Sequence, residues 1–198
     1  MNFLAHAYLS FNHPQILVGN MISDFVKGNK KFDYPLPIQK GITLHRLIDE
    51  FTDQHDATKQ AKDVFKQELG LYAGAFVDIT YDYFLANDIN EFKDATALEN
   101  FAISSYKTLD NFIDVFPERF LRPFASMKQH NWFLNYKTDY GIQRSFEGLT
   151  NRAKYINKEH LAFDTFLNSK ENLKVCYDIF FKDVKQFVLQ YHNNLINN

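Results

Sequence analysis

Histidine and aspartate residues recur at helical spacing in the stretch from Gly41 to Asp56. His45, Asp49 and Asp53 follow one another at intervals of four residues. In an α-helix a four-residue step leaves successive side chains only about 40° apart around the axis, so the three project from nearly the same face. Carboxylates and imidazoles on a buried face need a counter-charge, and a divalent cation takes both as ligands. The stretch therefore predicts one wall of a metal site.

A second pair of acids lies in a strongly apolar segment. Asp78 and Asp82 are also four residues apart, and most of their neighbours between Leu71 and Asn87 are aromatic or aliphatic. Two like charges on one buried face would force a proton onto one of them unless a cation held both. This pair therefore points to the same kind of site.

Candidate ligands come from four predicted helices. The full set is His6, Asp24, His45, Asp49, Asp78 and Asp82. Inward-facing acids and histidines from different helices build metal sites in helical bundles. Their spacing does not distinguish Mn²⁺, Fe²⁺, Mg²⁺ and Zn²⁺. Simpler roles are open for single members: a hydrogen-bonded core histidine for His6, a helix-terminal acid for Asp24, and a solvated contact between His45 and Asp49.

Three residues next to these candidates could assist the site or have an ordinary structural role. The guanidinium of Arg46 suits a phosphate or a carboxylate, and it suits equally an ion pair with an adjacent acid. Asp53 is either outer support for a ligand or an exposed acid. His55 is interpreted as a helix-end residue.

The composition indicates that helices position these side chains. The 198 residues include 21 Phe and 11 Tyr but only 7 Gly and 5 Pro. That leaves too few turn residues for a β-sandwich with a break about every ten residues. We predict an all-α fold, a single-domain helical bundle over residues 1–198.

Apolar periodicity gives the expected helices. They cover 2–9, 14–26, a central helix from about Ile38 to Asp56, 57–69, 71–87, 92–115, 124–136, 138–152 and 161–195. Pro123 is predicted to separate two segments, and 169–172 is predicted to break the last one. The glycine of Gly19-Asn20 is expected to allow close approach of another helix.

Charge and cysteine content exclude several classes of protein. The net charge is −2, so nothing global indicates a nucleic-acid partner. The only cysteine, Cys176, excludes an internal disulfide and suits a reducing compartment. The first residues lack a basic signal-peptide start, and no run of 18 apolar residues is present. We therefore expect a cytoplasmic protein that has no membrane span.

The order of these motifs resembles the acyl carrier protein phosphodiesterase family. The matching residues are Asn2-Phe3-Leu4-Ala5-His6, Gly19-Asn20, Asp24 to Gly28, Gly41-Ile42, His45-Arg46, Asp49, Thr52-Asp53, Asp78, and Asp82 to Leu85. Later landmarks are Pro117, Arg119-Phe120, Trp132-Phe133, Tyr136, Gly148 and Arg152. The chain departs at Tyr8 and Tyr83, where relatives can carry histidine.

This resemblance implies a divergent, HD-domain-like phosphohydrolase. Family members hydrolyse the phosphodiester that joins 4′-phosphopantetheine to a serine of holo acyl carrier protein, usually with Mn²⁺; Mg²⁺ and Fe²⁺ are alternatives. It also implies catalytic roles for Asp24, His45, Arg46, Asp49 and Asp78. An ion would acidify the attacking water, and Arg46, or else Lys27, would hold the phosphoryl oxygens.

The implied substrate is a small acidic protein, so a local basic surface is expected despite the net charge of −2. Lysines that follow Asp24, beginning with Lys27, are placed to steer an anion. Two other functions stay open: an HD-type enzyme for a nucleotide or another small phosphodiester, and a non-catalytic helical protein that binds a partner.

Overall fold

The computed structural model describes residues 1–152 and 161–196, and the side chains of 1–152 and 161–191. The helices in these ranges are α1 Phe3–Tyr8, α2 Pro14–Ile22, α3 Leu36–Gln54, α4 Asp56–Leu69, α5 Ala73–Ala86, α6 Ala95–Asp110, α7 Glu118–Gln129, α8 Trp132–Asn135, α9 Asp139–Thr150, α10 Leu161–Asn168 and α11 Lys170–Ile196. The described residues contain no strand. The all-α prediction is therefore confirmed, while the HD-domain-like arrangement stays a prediction.

Two predicted helices end earlier than expected, and both ends shape the site. The helix expected over 14–26 stops at Ile22 and continues as the 3₁₀ turn Ser23–Phe25, so Asp24 lies on the turn. The central helix stops at Gln54 rather than Asp56, because the His55 backbone is extended and its Nδ1 accepts a hydrogen bond from the Ala57 amide at 3.2 Å. His55 is thus the helix-end residue that was predicted.

The predicted break at Pro123 was wrong, because Pro123 lies inside α7. Phe120, Phe124 and Met127 recur at helical spacing and are buried, so packing of that face offsets the hydrogen bond that proline cannot donate. The chain turns instead at Asn131, which has a positive φ of 41°. Asparagine tolerates that left-handed conformation better than most residues.

A core of aromatic side chains packs the long helices around α5. Tyr81 stacks on Phe180 of α11 with ring centroids 4.9 Å apart, and Phe76 meets Phe146 of α9 edge-on at 5.1 Å. All four rings are fully buried. Offset and edge-on ring pairs of this kind contribute about 0.5–1.5 kcal/mol each beyond the area they bury. This packing fixes α5, which carries Asp78 and Asp82.

Two glycines bring the backbones of α2 and α3 into direct contact, as predicted for Gly19. A Cβ atom added to Gly19 would lie 2.1 Å from the carbonyl oxygen of Ile38, and one added to Gly41 would lie 2.3 Å from that of Ile16. Any side chain at either position would therefore push the helices apart. Their close crossing sets Asn20 of α2 against His45 of α3.

No helix within the described ranges is both long enough and apolar enough to cross a membrane.

Candidate metal centre

Asn20 orients both histidines of the predicted site. His6 Nδ1 lies 2.8 Å from the Asn20 side-chain oxygen, and His45 Nδ1 lies 2.7 Å from the Asn20 carbonyl oxygen. Both partners are acceptors, so each Nδ1 carries a proton, and in the state that binds a metal ion each Nε2 would offer its lone pair. The two rings stack with centroids 3.8 Å apart. The two lone pairs therefore point the same way.

Both Nε2 atoms converge on the carboxylate of Asp49. His6 Nε2 is 3.2 Å from Asp49 Oδ1, and His45 Nε2 is 3.1 Å from Asp49 Oδ2. His6 Nε2 is buried and lacks hydrogen-bonding geometry to any partner among the described residues. The three residues can each offer one ligand atom such that all three atoms lie within 4.8 Å of one another. This donor set fits a divalent metal ion.

Asp24 and Asp78 lie on two sides of this group. Asp24 Oδ1 is 3.1 Å from His45 Nε2, and 67% of its side chain is exposed. Asp78 Oδ1 accepts a hydrogen bond from the Met1 amino group at 3.0 Å. The same amino group lies 3.4 Å from Asp49 Oδ1. A buried ammonium thus joins two carboxylates of the predicted ligand set.

Asp82 contacts the backbone at the start of α1. It is fully buried, and its two oxygens accept hydrogen bonds from the backbone amides of Leu4 and Ala5 at 2.8 and 3.0 Å. Burial raises its pKa to about 7, against the effect of these two bonds. Asp82 therefore holds the start of α1, which carries His6, and it does not join the group formed by His6, His45 and Asp49.

The electrostatics of the two histidines differ. Burial, followed by the neighbouring His45 charge, lowers the pKa of His6 to about 4, so His6 is neutral at physiological pH. Burial also disfavours the charged form of His45, but its contacts with Asp24 and Asp49 outweigh that effect and raise its pKa to about 9. Burial opposes ionisation of Asp49 as well, yet the two imidazoles hold its pKa well below the usual range. Without a metal, a proton on His45 holds the two acids together.

This proton makes the stability of the metal-free protein depend on pH. A histidine whose pKa rises from 6.5 to about 9 on folding stabilises the fold fully below pH 6.5, and loses that contribution as the pH rises to 9. We expect the free energy of unfolding in EDTA to fall by up to about 3 kcal/mol across this window. Urea unfolding at several pH values measures it.

The His45→Gln protein is the control for this measurement. The Met1 amino group also titrates at the upper end, because its pKa is raised from 8.0 to about 10. Its contribution is present in both proteins, so the difference between them isolates His45. Parallel curves for the two proteins between pH 6.5 and 9 would contradict the assignment of this proton.

The other predicted side chains have partners outside the group. Arg46 Nη2 donates to the Val26 carbonyl oxygen at 3.0 Å, which ties α3 to the segment that carries Asp24. Asp53 accepts from Lys62 at 2.7 Å and is exposed. Of the two roles left open for Asp53, outer support for a ligand or an exposed acid, the structure therefore favours the exposed acid.

Sequence reasoning did not assign Asn20 or the Met1 amino group to the site. Asn20 belongs to the Gly19-Asn20 pair that carried the resemblance, but its buried bonds depend on which helix crosses at Gly19. A polar residue next to a predicted glycine crossing was the available signal. The Met1 contacts with α3 and α5 had no signal in residue type or spacing.

The fold and the site together define an all-helical protein in which two histidines and one carboxylate form a group that could hold a metal ion. Comparison with known proteins narrows this class. The acyl carrier protein phosphodiesterase family model matches residues 1–184. The chain therefore belongs to the acyl carrier protein phosphodiesterase family, whose members are hydrolases that act on phosphodiesters.

Relatives from enteric bacteria carry the same description. The acyl carrier protein phosphodiesterase of Salmonella paratyphi A is 30% identical over 152 residues, which cover 77% of this chain and 79% of the relative. That of Enterobacter sp. (strain 638) is 29% identical over 178 residues, covering 90% and 89%. No solved structure gives a significant match. The resemblance predicted from the motifs is confirmed.

Proposed function

We propose that this chain is a cytoplasmic, metal-dependent enzyme that hydrolyses the 4′-phosphopantetheine–serine phosphodiester of holo acyl carrier protein. Family membership supports the reaction and the substrate class. The observation that carries the metal dependence is the convergence of two histidine lone pairs, fixed by Asn20, on the Asp49 carboxylate.

The ligand core in this proposal is His6, His45 and Asp49, with Mn²⁺ as the first candidate and Mg²⁺ or Fe²⁺ as alternatives. A divalent cation bound there supplies a Lewis acid that polarises the phosphoryl group and lowers the pKa of water. It would take the place of the proton that His45 shares with Asp24 and Asp49. Metal binding therefore releases a proton, as expected for ligands that must be deprotonated.

The surrounding acids act on the water and on the geometry of the core. Asp24 contacts His45 and is the most exposed of the three contacting carboxylates, so it is placed to accept a proton from the attacking water. Asp78 fixes the Met1 amino group beside Asp49. Water adds at phosphorus, the bond from phosphorus to the serine oxygen breaks, and the serine oxygen leaves with a proton. The phosphate monoester stays with pantetheine.

Two cationic side chains, Arg46 and Lys27, are candidates for contact with the phosphate. Arg46 was the first candidate for the phosphate, but one of its nitrogens is engaged by the Val26 carbonyl oxygen. We assign Arg46 to holding the backbone between Asp24 and Lys27. Lys27 is exposed and follows Asp24 by three residues, so it offers a positive charge for the non-bridging phosphate oxygens.

The test is incubation of holo carrier protein with the purified enzyme in Mn²⁺, Mg²⁺, Fe²⁺ or EDTA. Mass spectrometry should show the carrier losing one phosphopantetheine with a metal and none in EDTA. The Asp24→Ala protein should lose turnover and remain folded. Asp33→Ala, which removes an exposed acid from the neighbouring 3₁₀ turn, is the matched control and should retain turnover.

Other outcomes select the other functions. Cleavage of a nucleotide or a simple diester without any change in carrier mass would favour a small-substrate phosphohydrolase. A protein that binds no divalent cation and cleaves nothing would favour the non-catalytic function.

A further inference from the structure

Asp24 lines a cavity of about 670 Å³. Because the carboxylate of Asp24 contacts His45, the cavity adjoins the candidate metal centre. A second cavity of about 470 Å³ is lined by other residues, among them Trp132 and Arg144, and none of the predicted metal ligands lines it. The first cavity is therefore the one whose contents would adjoin the reacting phosphate.

Apolar residues form the fixed wall of this cavity. Phe25, Val26, Tyr34 and Pro117 line it. Val26 is buried, its carbonyl oxygen accepts from Arg46, and the Phe25 ring packs on Phe120 with centroids 5.1 Å apart. These contacts hold the wall in place before a ligand arrives. Volumes of about 300–1,000 Å³ with mainly apolar walls are typical of sites for small organic ligands.

Positive charges supply the polar part of the lining. Lys27, Lys30 and Arg119 face the cavity, together with the two acids Asp24 and Glu118. Lys30 and Arg119 are exposed and come from separate segments, the 3₁₀ turn Gly28–Asp33 and the first turn of α7. The cavity therefore combines an apolar wall with cationic side chains.

We propose that this cavity binds the pantetheine arm of the substrate while the phosphodiester lies at its Asp24 end. This inference rests on the proposed function. The arm is thin, uncharged and amphipathic, with a dimethyl group and two amides, and it is joined to phosphate at one end. A folded carrier is too broad to enter such a cavity, whereas the arm matches apolar walls that start beside a phosphate site. Lys27, which follows Asp24 by three residues, offsets the phosphate charge in this arrangement.

The proposal is tested by measuring kcat/KM for two substrates with the wild-type protein and with matched variants. One substrate is holo carrier protein, and the other is a carrier whose serine bears a phosphodiester truncated to phosphoethanolamine. Arg119→Trp and Lys30→Trp fill the cavity from opposite segments. Arg122→Trp and Lys31→Trp make the same chemical change on the same two segments, at positions that do not line the cavity.

We expect the wild-type protein to prefer the full arm by at least about tenfold in kcat/KM, a difference of about 1.4 kcal/mol. Arg119→Trp and Lys30→Trp should abolish that preference by slowing only the full-length substrate. Arg122→Trp and Lys31→Trp should retain it. Saturation-transfer NMR with pantetheine alone, which lacks phosphate, should show binding to wild type and to Arg122→Trp but not to Arg119→Trp.

The outcomes separate this inference from the proposed function. Equal cleavage of both substrates by wild type would overturn the inference and leave the function standing. An equal loss of both substrates in the cavity variants would also overturn it, because the cavity would then contact the carrier rather than the arm. Failure of wild type to cleave either substrate with any metal would remove the proposed function, and the inference with it.

Discussion

The Asp49→Asn protein is expected to lose about 10³-fold in kcat/KM for holo carrier protein, which corresponds to about 4 kcal/mol. Asp49 is the only residue of the centre whose two oxygens each face a different histidine, at 3.2 and 3.1 Å, within the part of the chain that the structure describes. An amide of the same size keeps the packing but removes the negative charge. It also leaves the two imidazoles without an anionic co-ligand for a divalent cation.

Metal affinity should fall with activity in this variant. We expect a loss of at least about 100-fold in Mn²⁺ affinity, since even outer-shell partners of a ligand contribute 10–100-fold. Calorimetric titration of the EDTA-treated protein measures it without reference to turnover. Circular dichroism should show an unchanged helix content, because the Met1 amino group keeps Asp78 as a partner.

Asp53→Asn is the matched control for this experiment. Asp53 lies one turn further along α3 and pairs with Lys62 at 2.7 Å on the exposed surface. The same chemical change there should alter affinity and kcat/KM less than twofold, about 0.4 kcal/mol. Equal losses in the two variants would show that general charge on α3, rather than ligation by Asp49, controls activity.

Local geometry explains why part of the site could be predicted from the sequence. His45 and Asp49 are separated by one helical step, so their contact at 3.1 Å follows from the spacing alone. Close packing at Gly19 was predicted in the same way, since glycine admits a neighbouring backbone. Both predictions required only the shape of a helix and the size of a side chain.

The sequence was less informative about contacts that depend on which helix packs against which. Asp78 and Asp82 were correctly placed in one apolar helix, but their partners are chosen by tertiary packing. The start of α1 lies against Asp82 and supplies two backbone amides, while Asp78 receives the Met1 amino group. A buried carboxylate needs donors, and its sequence surroundings do not say whether a metal or a helix start supplies them.

The predicted break at Pro123 was wrong for a related reason. Pro123 was predicted to separate two segments because proline disrupts hydrogen bonding in a helix interior. Burial of Phe120, Phe124 and Met127 on one side of α7 outweighs that loss. The shortened α2 had a larger consequence for the site, since its 3₁₀ continuation moves Asp24 off the helix and towards His45.

Among the variants that alter no proposed ligand, the Asn20→Leu protein is expected to lose the most stability. Asn20 is fully buried, and its Nδ2 donates to the His6 carbonyl oxygen at 2.8 Å and to Ser10 Oγ at 3.1 Å. Its Oδ1 accepts from His6 Nδ1. Leucine has a similar size but leaves buried donors and acceptors unpaired, at a cost of about 2–4 kcal/mol of unfolding free energy.

Metal affinity distinguishes an orienting role of Asn20 from a purely structural one. Loss of the acceptor frees the His6 ring to rotate or change tautomer, so Mn²⁺ affinity should fall about 10–100-fold in the protein that remains folded. Asn20→Asp keeps an acceptor for His6 Nδ1 and should regain most of that affinity, although it loses the two donated bonds and stays less stable. Ser10→Ala removes two hydrogen bonds of the same network, one from Asn20 Nδ2 and one to the His6 carbonyl oxygen, without touching the acceptor for His6 Nδ1. It should reduce stability while leaving affinity within about threefold, 0.6 kcal/mol. If Asn20→Asp binds metal as weakly as Asn20→Leu, the orientation of His6 does not depend on this oxygen, and the convergence of the two lone pairs has another cause.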